Sequence, residues 1–272
     1  MASAAENLVF RRGDGSFAAF ADRWIYVFMA VLFIATVFAG FIPDSISKMD
    51  AVAAGKRPPF PMILHVHAAL MGSWLLLLLT QAVLMATGKS GIHKQLGLTA
   101  MVLAPALVVV GFLLIPTMDG QIVDGIRHGP PPVADELRKV LPIVLNIMAI
   151  QIRVGMVFAI LIVIGLTARR TDPGTHKRLM FLATSAALPA ATDRISWLPT
   201  TMPGSALTVD LWPLVVIAPM FLWDLYRQRS IHRAYWIWLA VSLIPAIAMH
   251  LAWGSAWWHR IALNILHAPE LA

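Results

Sequence analysis

The chain has no cysteine among its 272 residues. That absence removes disulfides, thiolate metal ligands, cysteine catalysis and covalently attached c-type haem together. Charge is scarce as well: Asp, Glu, Lys and Arg make up 13%, whereas hydrophobic residues reach 59%. A soluble globular domain carries roughly twice that share of charge, about 25%, so the chain reads as an integral membrane protein. No glycine-rich phosphate loop, dinucleotide fingerprint or serine-nucleophile elbow occurs, which argues against ATP-driven transport and nicotinamide chemistry. The segments between apolar runs are too short to build a soluble catalytic domain.

What is present is a series of long apolar runs, near 24–42, 62–86, 95–116, 139–166, 178–198, 207–226 and 234–253. None alternates with the two-residue period of a membrane barrel strand, so an all-α integral membrane protein with seven transmembrane helices is expected. The whole of 1–272 reads as one transmembrane domain with a short cytoplasmic lead over 1–22. About 23 residues of mixed charge precede the first run, which is long enough to stay in the membrane as an anchor rather than serve as a cleaved signal. The fourth run carries Asn146, Gln151 and Arg153 and the fifth ends in Asp193-Arg194, which leaves six spans as the alternative count.

The formal net charge is +7. Its basic residues sit in short connections, a pattern that suits anionic lipid headgroups and not nucleic acid. Placing the N-terminus in the cytoplasm puts Arg11, Arg12, Arg23, Lys89, Lys94, Arg169, Arg170, Lys177, Arg178, Arg227, Arg229 and Arg233 on the inner face. The smaller group of Lys48, Lys56, Arg57, Arg127, Arg138, Lys139 and Arg260 falls outside, so the positive-inside rule predicts a cytoplasmic N-terminus and a periplasmic C-terminus. The connection from Pro43 to Pro61 reads as an irregular outer loop. The acidic, proline-rich stretch from Thr117 to Leu137 reads as the longest outer connection, either a solvated linker or a lid.

Three inner connections share one signature: Gly91-Ile92-His93-Lys94, Gly174-Thr175-His176-Lys177 and Ser230-Ile231-His232-Arg233. They open the third, fifth and seventh runs, an order that one N-terminal helix followed by three helical hairpins would generate. A basic pair is the wrong charge for a helix N-terminus, so lipid headgroups, loop contacts or a cofactor are the expected partners. Asp224, close to Arg227 and Arg229, reads as part of an ordinary inner salt bridge.

The residues that could carry chemistry gather toward the outer face. His65 and His67 enter the second run, and His250 lies about 24 Å of helical rise from the inner start of the seventh. Asp193 ends the fifth run and Asp210 starts the sixth. His65 and His67 point about 200° apart on a helix, so only one faces a given centre, and the deeper His67 is the preferred one. With His250 it could supply two nitrogens to haem iron. With Asp193 or Asp210, and with His65 as a further donor, it could form a mixed site for zinc or another transition metal. Packing and polar networking are the competing roles for these histidines. Arg153 falls deep in the fourth run, where a guanidinium needs a carboxylate, a haem propionate, an anionic ligand or a water-filled cavity. No His-x-x-x-His pair or His-Glu-x-x-His motif accompanies these residues.

The His65-x-His67 start of the second run, its leucine stretch and the following Gly91-Ile92-His93-Lys94 resemble patterns in uncharacterised bacterial multi-helix membrane proteins. Thr175-His176-Lys177-Arg178-Leu179-Met180 resembles segments of small membrane proteins linked to terminal-oxidase assembly. The resemblance covers mainly 62–198 and implies a bacterial inner-membrane location, a link to haem, copper or respiratory membranes, and a respiratory or assembly partner protein. It assigns no catalytic residue. The expectation is a haem- or transition-metal-binding protein of electron transfer or cofactor handling, with His67 and His250 as ligands and Arg153 beside them. A metal-dependent lipid hydrolase using zinc and a metal-independent transporter or sensor are the alternatives.

Overall fold

The computed structural model describes residues 17–272. The Arg11-Arg12 pair and most of the expected N-terminal lead lie outside the described residues. Within them the chain is all-helical: α1 Phe17–Ala53, α2 Met62–Ala86, α3 Ser90–Leu96, α4 Ala100–His128, α5 Pro131–Ala168, α6 Pro173–Ser185, α7 Pro189–Thr192, α8 Leu207–Gln228, α9 Arg233–Ala252 and α10 Ala256–Ile265. A 3-10 turn, Gly97–Thr99, joins α3 to α4 so that both run as one rod. Six helices are long and apolar enough to cross a membrane: α1, α2, the α3–α4 rod, α5, α8 and α9.

One expected loop, 117–137, is almost wholly helix, and the other, 43–61, is helix as far as Ala53 and irregular from there to Pro61. α1 continues ten residues beyond Pro43, and α4 and α5 run through the acidic 117–137 stretch with only Gly129 and Pro130 between them. Proline removes one backbone donor, and a long apolar helix tolerates that where the neighbouring turns hold. Local charge pairs support both extensions: Lys48 reaches Asp44 at 2.7 Å, Arg138 reaches Asp135 at 2.9 Å and Lys139 reaches Glu136 at 2.5 Å. Pro131 and Pro132 fall in the first turn of α5, where no intrahelical donor is needed. At 38 residues α5 is about 57 Å long, nearly twice the hydrocarbon thickness of roughly 30 Å.

The bundle is organised around the least regular segment. α6 buries Thr175, Arg178, Leu179, Phe181, Leu182, Ala183, Thr184 and Ser185, so it is enclosed on nearly all sides. Its neighbours are α5, α9, α8 and α1. From α2, Trp74 reaches the same helix by donating its indole N–H to Thr184 Oγ1 at 3.0 Å and stands edge-on to Phe158 of α5. Pro189 cannot donate to Ser185, and the preceding turn tightens into i to i−3 bonds at Ala186, Ala187 and Leu188. α6 therefore ends and a single turn, α7, follows.

This broken rod runs alongside α1 in the same direction. Lys177 lies over the Tyr26 ring, Phe181 packs between Tyr26 and Phe33, Ala191 meets Gly40, and Arg194 Nε donates to Asp44 at 3.1 Å. A Cβ at Gly40 would collide with the Ala191 carbonyl, so glycine is what allows the two backbones to touch. The fifth apolar run thus travels from the Tyr26 end of α1 to its Asp44 end without forming a continuous helix.

Candidate functional site

Two polar centres occupy opposite ends of the bundle. At the Tyr26 end, Asp224 of α8 accepts from Arg178 Nε and Nη2, both at 2.7 Å, and from the Tyr235 hydroxyl at 2.5 Å. Gln228 donates to the same carboxylate at 3.2 Å, and Arg178 also donates to the Gly174 carbonyl. Both charged side chains are at most one-tenth exposed. Asp224 therefore pairs with α6 and not with Arg227, which reaches Asp22 of α1 at 2.7 Å. Bidentate geometry with every strong donor and acceptor engaged describes a lock between α6, α8 and α9.

The three repeated signatures open α3, α6 and α9 and serve this same end. His232 is the N-cap of α9 and accepts from the Ala234 N–H at 3.1 Å, an interaction that needs a neutral ring nitrogen. Asp172 caps α6 by accepting from Thr175 N and pairs with Arg233, whose Nε donates to Thr175 Oγ1 at 2.9 Å. His176 Nδ1 meets the Gly165 carbonyl at 2.8 Å. Capping and one acid accommodate the His232-Arg233 pair, Lys177 lies over the Tyr26 ring, and at the first signature the His93 Nδ1 is buried without a partner. Charge alone had pointed away from capping, because it ignores a histidine that caps through its lone pair.

At the other end the structure joins three of the residues singled out from the sequence. Asp210, in the first turn of α8, meets Arg153 Nη2 through Oδ1 at 2.5 Å and His250 Nε2 through Oδ2 at 2.8 Å. Arg153 comes from the middle of α5 and His250 from the last turn of α9. A carboxylate at a helix N-terminus is favoured by the backbone dipoles, so α8 supports Asp210 in this position. Side-chain exposure rises along the chain of contacts, from 11% at Arg153 to 29% at Asp210 and 37% at His250. Unlike the lock, this centre is not saturated: Arg153 Nη1 is buried without a hydrogen-bond partner.

A further node stands on α5 two turns from Arg153. Asn146 Oδ1 accepts from the Gly254 N–H and from His259 Nε2, each at 2.9 Å, and Trp258 donates its indole N–H to the Leu145 carbonyl at 2.8 Å. These bonds dock α10 on α5. Burial lowers the His259 pKa below its usual 6.5, so the ring is neutral and donates to the amide oxygen. The sequence carried a signal for this node in Asn146, a polar residue in an apolar run, but its partners lie 108 and 113 residues away in the chain.

The remaining candidates sit elsewhere. His65 is exposed beside the edge of Phe60, and His67 is half-buried against Gly111 of α4 with its Nδ1 lacking a partner. Asp193 follows α7 and lines a cavity of about 70 Å³ with Thr192, Ser196, Thr208 and Trp212, while its neighbour Arg194 bonds Asp44. His67 thus sits against α4, whereas His250 is engaged by α8. Among the described residues no three His, Cys, Asp or Glu side chains group so that they could hold a metal ion. Of the expected metal donors, Asp210 and His250 meet, while His65, His67 and Asp193 make their contacts elsewhere.

No protein-family model, curated protein or solved structure matches the chain. The class that fold and composition define is a multi-helix protein with six helices long and apolar enough to cross a membrane among the described residues.

Proposed function

We propose that the protein is a proton-linked membrane transporter whose working group is the Arg153–Asp210–His250 relay. The observation that carries this reading is the relay itself: three ionisable side chains from three helices, graded from buried to half-exposed, with one buried guanidinium nitrogen still open. Ionisable groups are costly inside a bilayer and concentrate where ions, protons or polar solutes pass. Each member has a distinct role. Arg153 holds a fixed positive charge, Asp210 bridges, and His250 supplies an imidazole, a side chain able to accept and release a proton. Protonation of His250 places two cations on one carboxylate, which loosens the hold of Asp210 on Arg153. Deprotonation restores it, and the open Nη1 offers a polar solute a second donor.

In this reading the broken α6–α7 rod is a seventh crossing, since it spans the Tyr26 to Asp44 stretch of α1. The basic connections around Lys94, Arg169 and Arg233 then face the cytoplasm and the Asp210 centre faces outward.

The test is proton flux in sealed vesicles carrying an internal pH dye under an imposed potassium diffusion potential. Wild-type protein is expected to conduct, while Asp210→Asn and His250→Gln fall to the level of protein-free vesicles. Wild-type flux no greater than that of protein-free vesicles overturns the proposal. A second reading, haem or metal handling, is favoured by the buried, unpartnered Nδ1 of His67. A redox-sensitive absorption band lost in His67→Ala would select it.

A further inference from the structure

Asp119 stands apart from both polar centres. It lies on the α4 face that carries Ile115, Val123 and Ile126, at spacings of four, four and three residues. Those three side chains belong to one apolar cluster with Leu141, Leu145 and Met148 of α5, Ala262 and Leu263 of α10, and Leu266 and Ala268 just beyond it. Asp119 is 7% exposed, and its Oδ2 is buried with no hydrogen-bond partner. No cation compensates it: the nearby Arg127 is committed to Glu270 and the His267 carbonyl. His259 of α10 is committed to Asn146 of α5. Of the other charged and titratable groups on α4, α5, α10 and the C-terminal turn, Asp135 pairs with Arg138, Glu136 with Lys139 and Arg153 with Asp210, while Asp124, His128, Arg260 and His267 are exposed. From the α2 side, His65 is exposed, His67 sits two turns away against Gly111, and Arg57 stacks over Phe60.

A carboxylate with one oxygen buried in an apolar layer, and neither a cation nor a donor there, favours its protonated form over carrying its charge into that layer. We propose that Asp119 is a proton-binding site, neutral while α10 is docked, and that its ionisation undocks α10 and the C-terminal turn from α4 and α5. The proton passes to solvent when the cluster opens, and the new carboxylate is then hydrated. Linkage fixes the sign: the docked state holds the proton more tightly than the open state, so docking weakens as pH rises. The inference is independent of the Asp210 reading, since it invokes none of the same side chains.

Two measurements on the full chain test it. Infrared difference spectra of wild type against Asp119→Asn at about pH 7 are expected to contain the carbonyl stretch of a protonated carboxylic acid, shifted in Asp119→Glu. A carboxylate band in its place overturns the proposal. The second uses the cysteine-free background: Leu263→Cys is labelled with a maleimide between about pH 7 and pH 9, alone and together with Asp119→Asn. The ratio of the two rates cancels the titration of the introduced thiol. It is expected to rise by up to about tenfold per pH unit once Asp119 titrates, with the Asp119→Asn background remaining slow. A ratio that does not change with pH overturns the coupling to α10. Because the infrared band is also read in wild type and Asp119→Glu, failure of the asparagine variant to fold leaves the first test intact.

Discussion

Arg178 closes both arms of its guanidinium fork on Asp224, and Tyr235 completes the same carboxylate. Because the pair is almost fully buried, deleting one member leaves an uncompensated charge between α6, α8 and α9. Arg178→Ala and Asp224→Ala are each expected to cost about 3–5 kcal/mol, whereas Tyr235→Phe costs about 1 kcal/mol. Thermal melts in mild detergent measure the order. A melting point for Asp224→Ala equal to that of wild type would remove the lock from the account of stability.

Gly40 sets how closely α1 approaches α7. A β-carbon there meets backbone, not a flexible side chain, so it can be relieved only by moving a helix. Gly40→Val is expected to destabilise the bundle by about 1–3 kcal/mol. Gly72→Ala, at a site where a β-carbon meets nothing within 4 Å, is the matched control and should be neutral or slightly stabilising. Equal melting points for the two variants would mean that α1 and α7 do not pack as described.

The apolar runs made the helical class legible because a 3.6-residue helix is the economical way to satisfy backbone groups in lipid. The same signal failed at 43–53 and 117–137, where proline and acidic residues suggested loops while local charge pairs and the adjoining apolar turns extend the helices; the irregular 54–61 and the start of α2 after Pro61 are as expected. Arg153, Asp210 and His250 were recognisable one by one as misplaced polar residues. Their union was not, because it depends on the rotation of α5, α8 and α9 about their axes. Asp224 was misassigned to its sequence neighbours for a related reason: its position in the buried stripe with Ile217 and Met220 turns it toward α6, away from Arg227. Asn146 and Asp119 drew no site assignment, since their significance lies in the partners they have or lack in three dimensions.

The path of the fifth apolar run determines which residues share a membrane face. If α6 and α7 cross together, Arg170 and Ser196 lie on opposite sides. Single cysteines at these positions, introduced into a chain that has none, are expected to react with an impermeant maleimide from opposite sides of intact membrane vesicles. Ser196→Cys should react from the outside and Arg170→Cys only after the vesicles are opened. Reaction of both from the same side would make the segment a re-entrant hairpin and reverse the orientation of α8 and α9.

His259 gives α10 a pH response opposite in sign to that of Asp119. Burial lowers the His259 pKa in the docked state below the ordinary 6.5, while the undocked ring regains that value. The undocked form therefore binds more protons between the two values, so the His259 contribution to docking is fully present above about 6.5 and is lost as pH falls through and below it. Trp258, whose indole bonds the Leu145 carbonyl at the same contact, is the natural reporter. Acidification is expected to shift its emission to the red as water reaches the ring. His259→Gln preserves a donor for Asn146 Oδ1 but cannot titrate, so the acid-induced shift should vanish while emission at neutral pH is retained. An identical acid shift in wild type and His259→Gln would show that the imidazole is not the group that senses acid, leaving Asp119 as the sole pH-linked contact of α10.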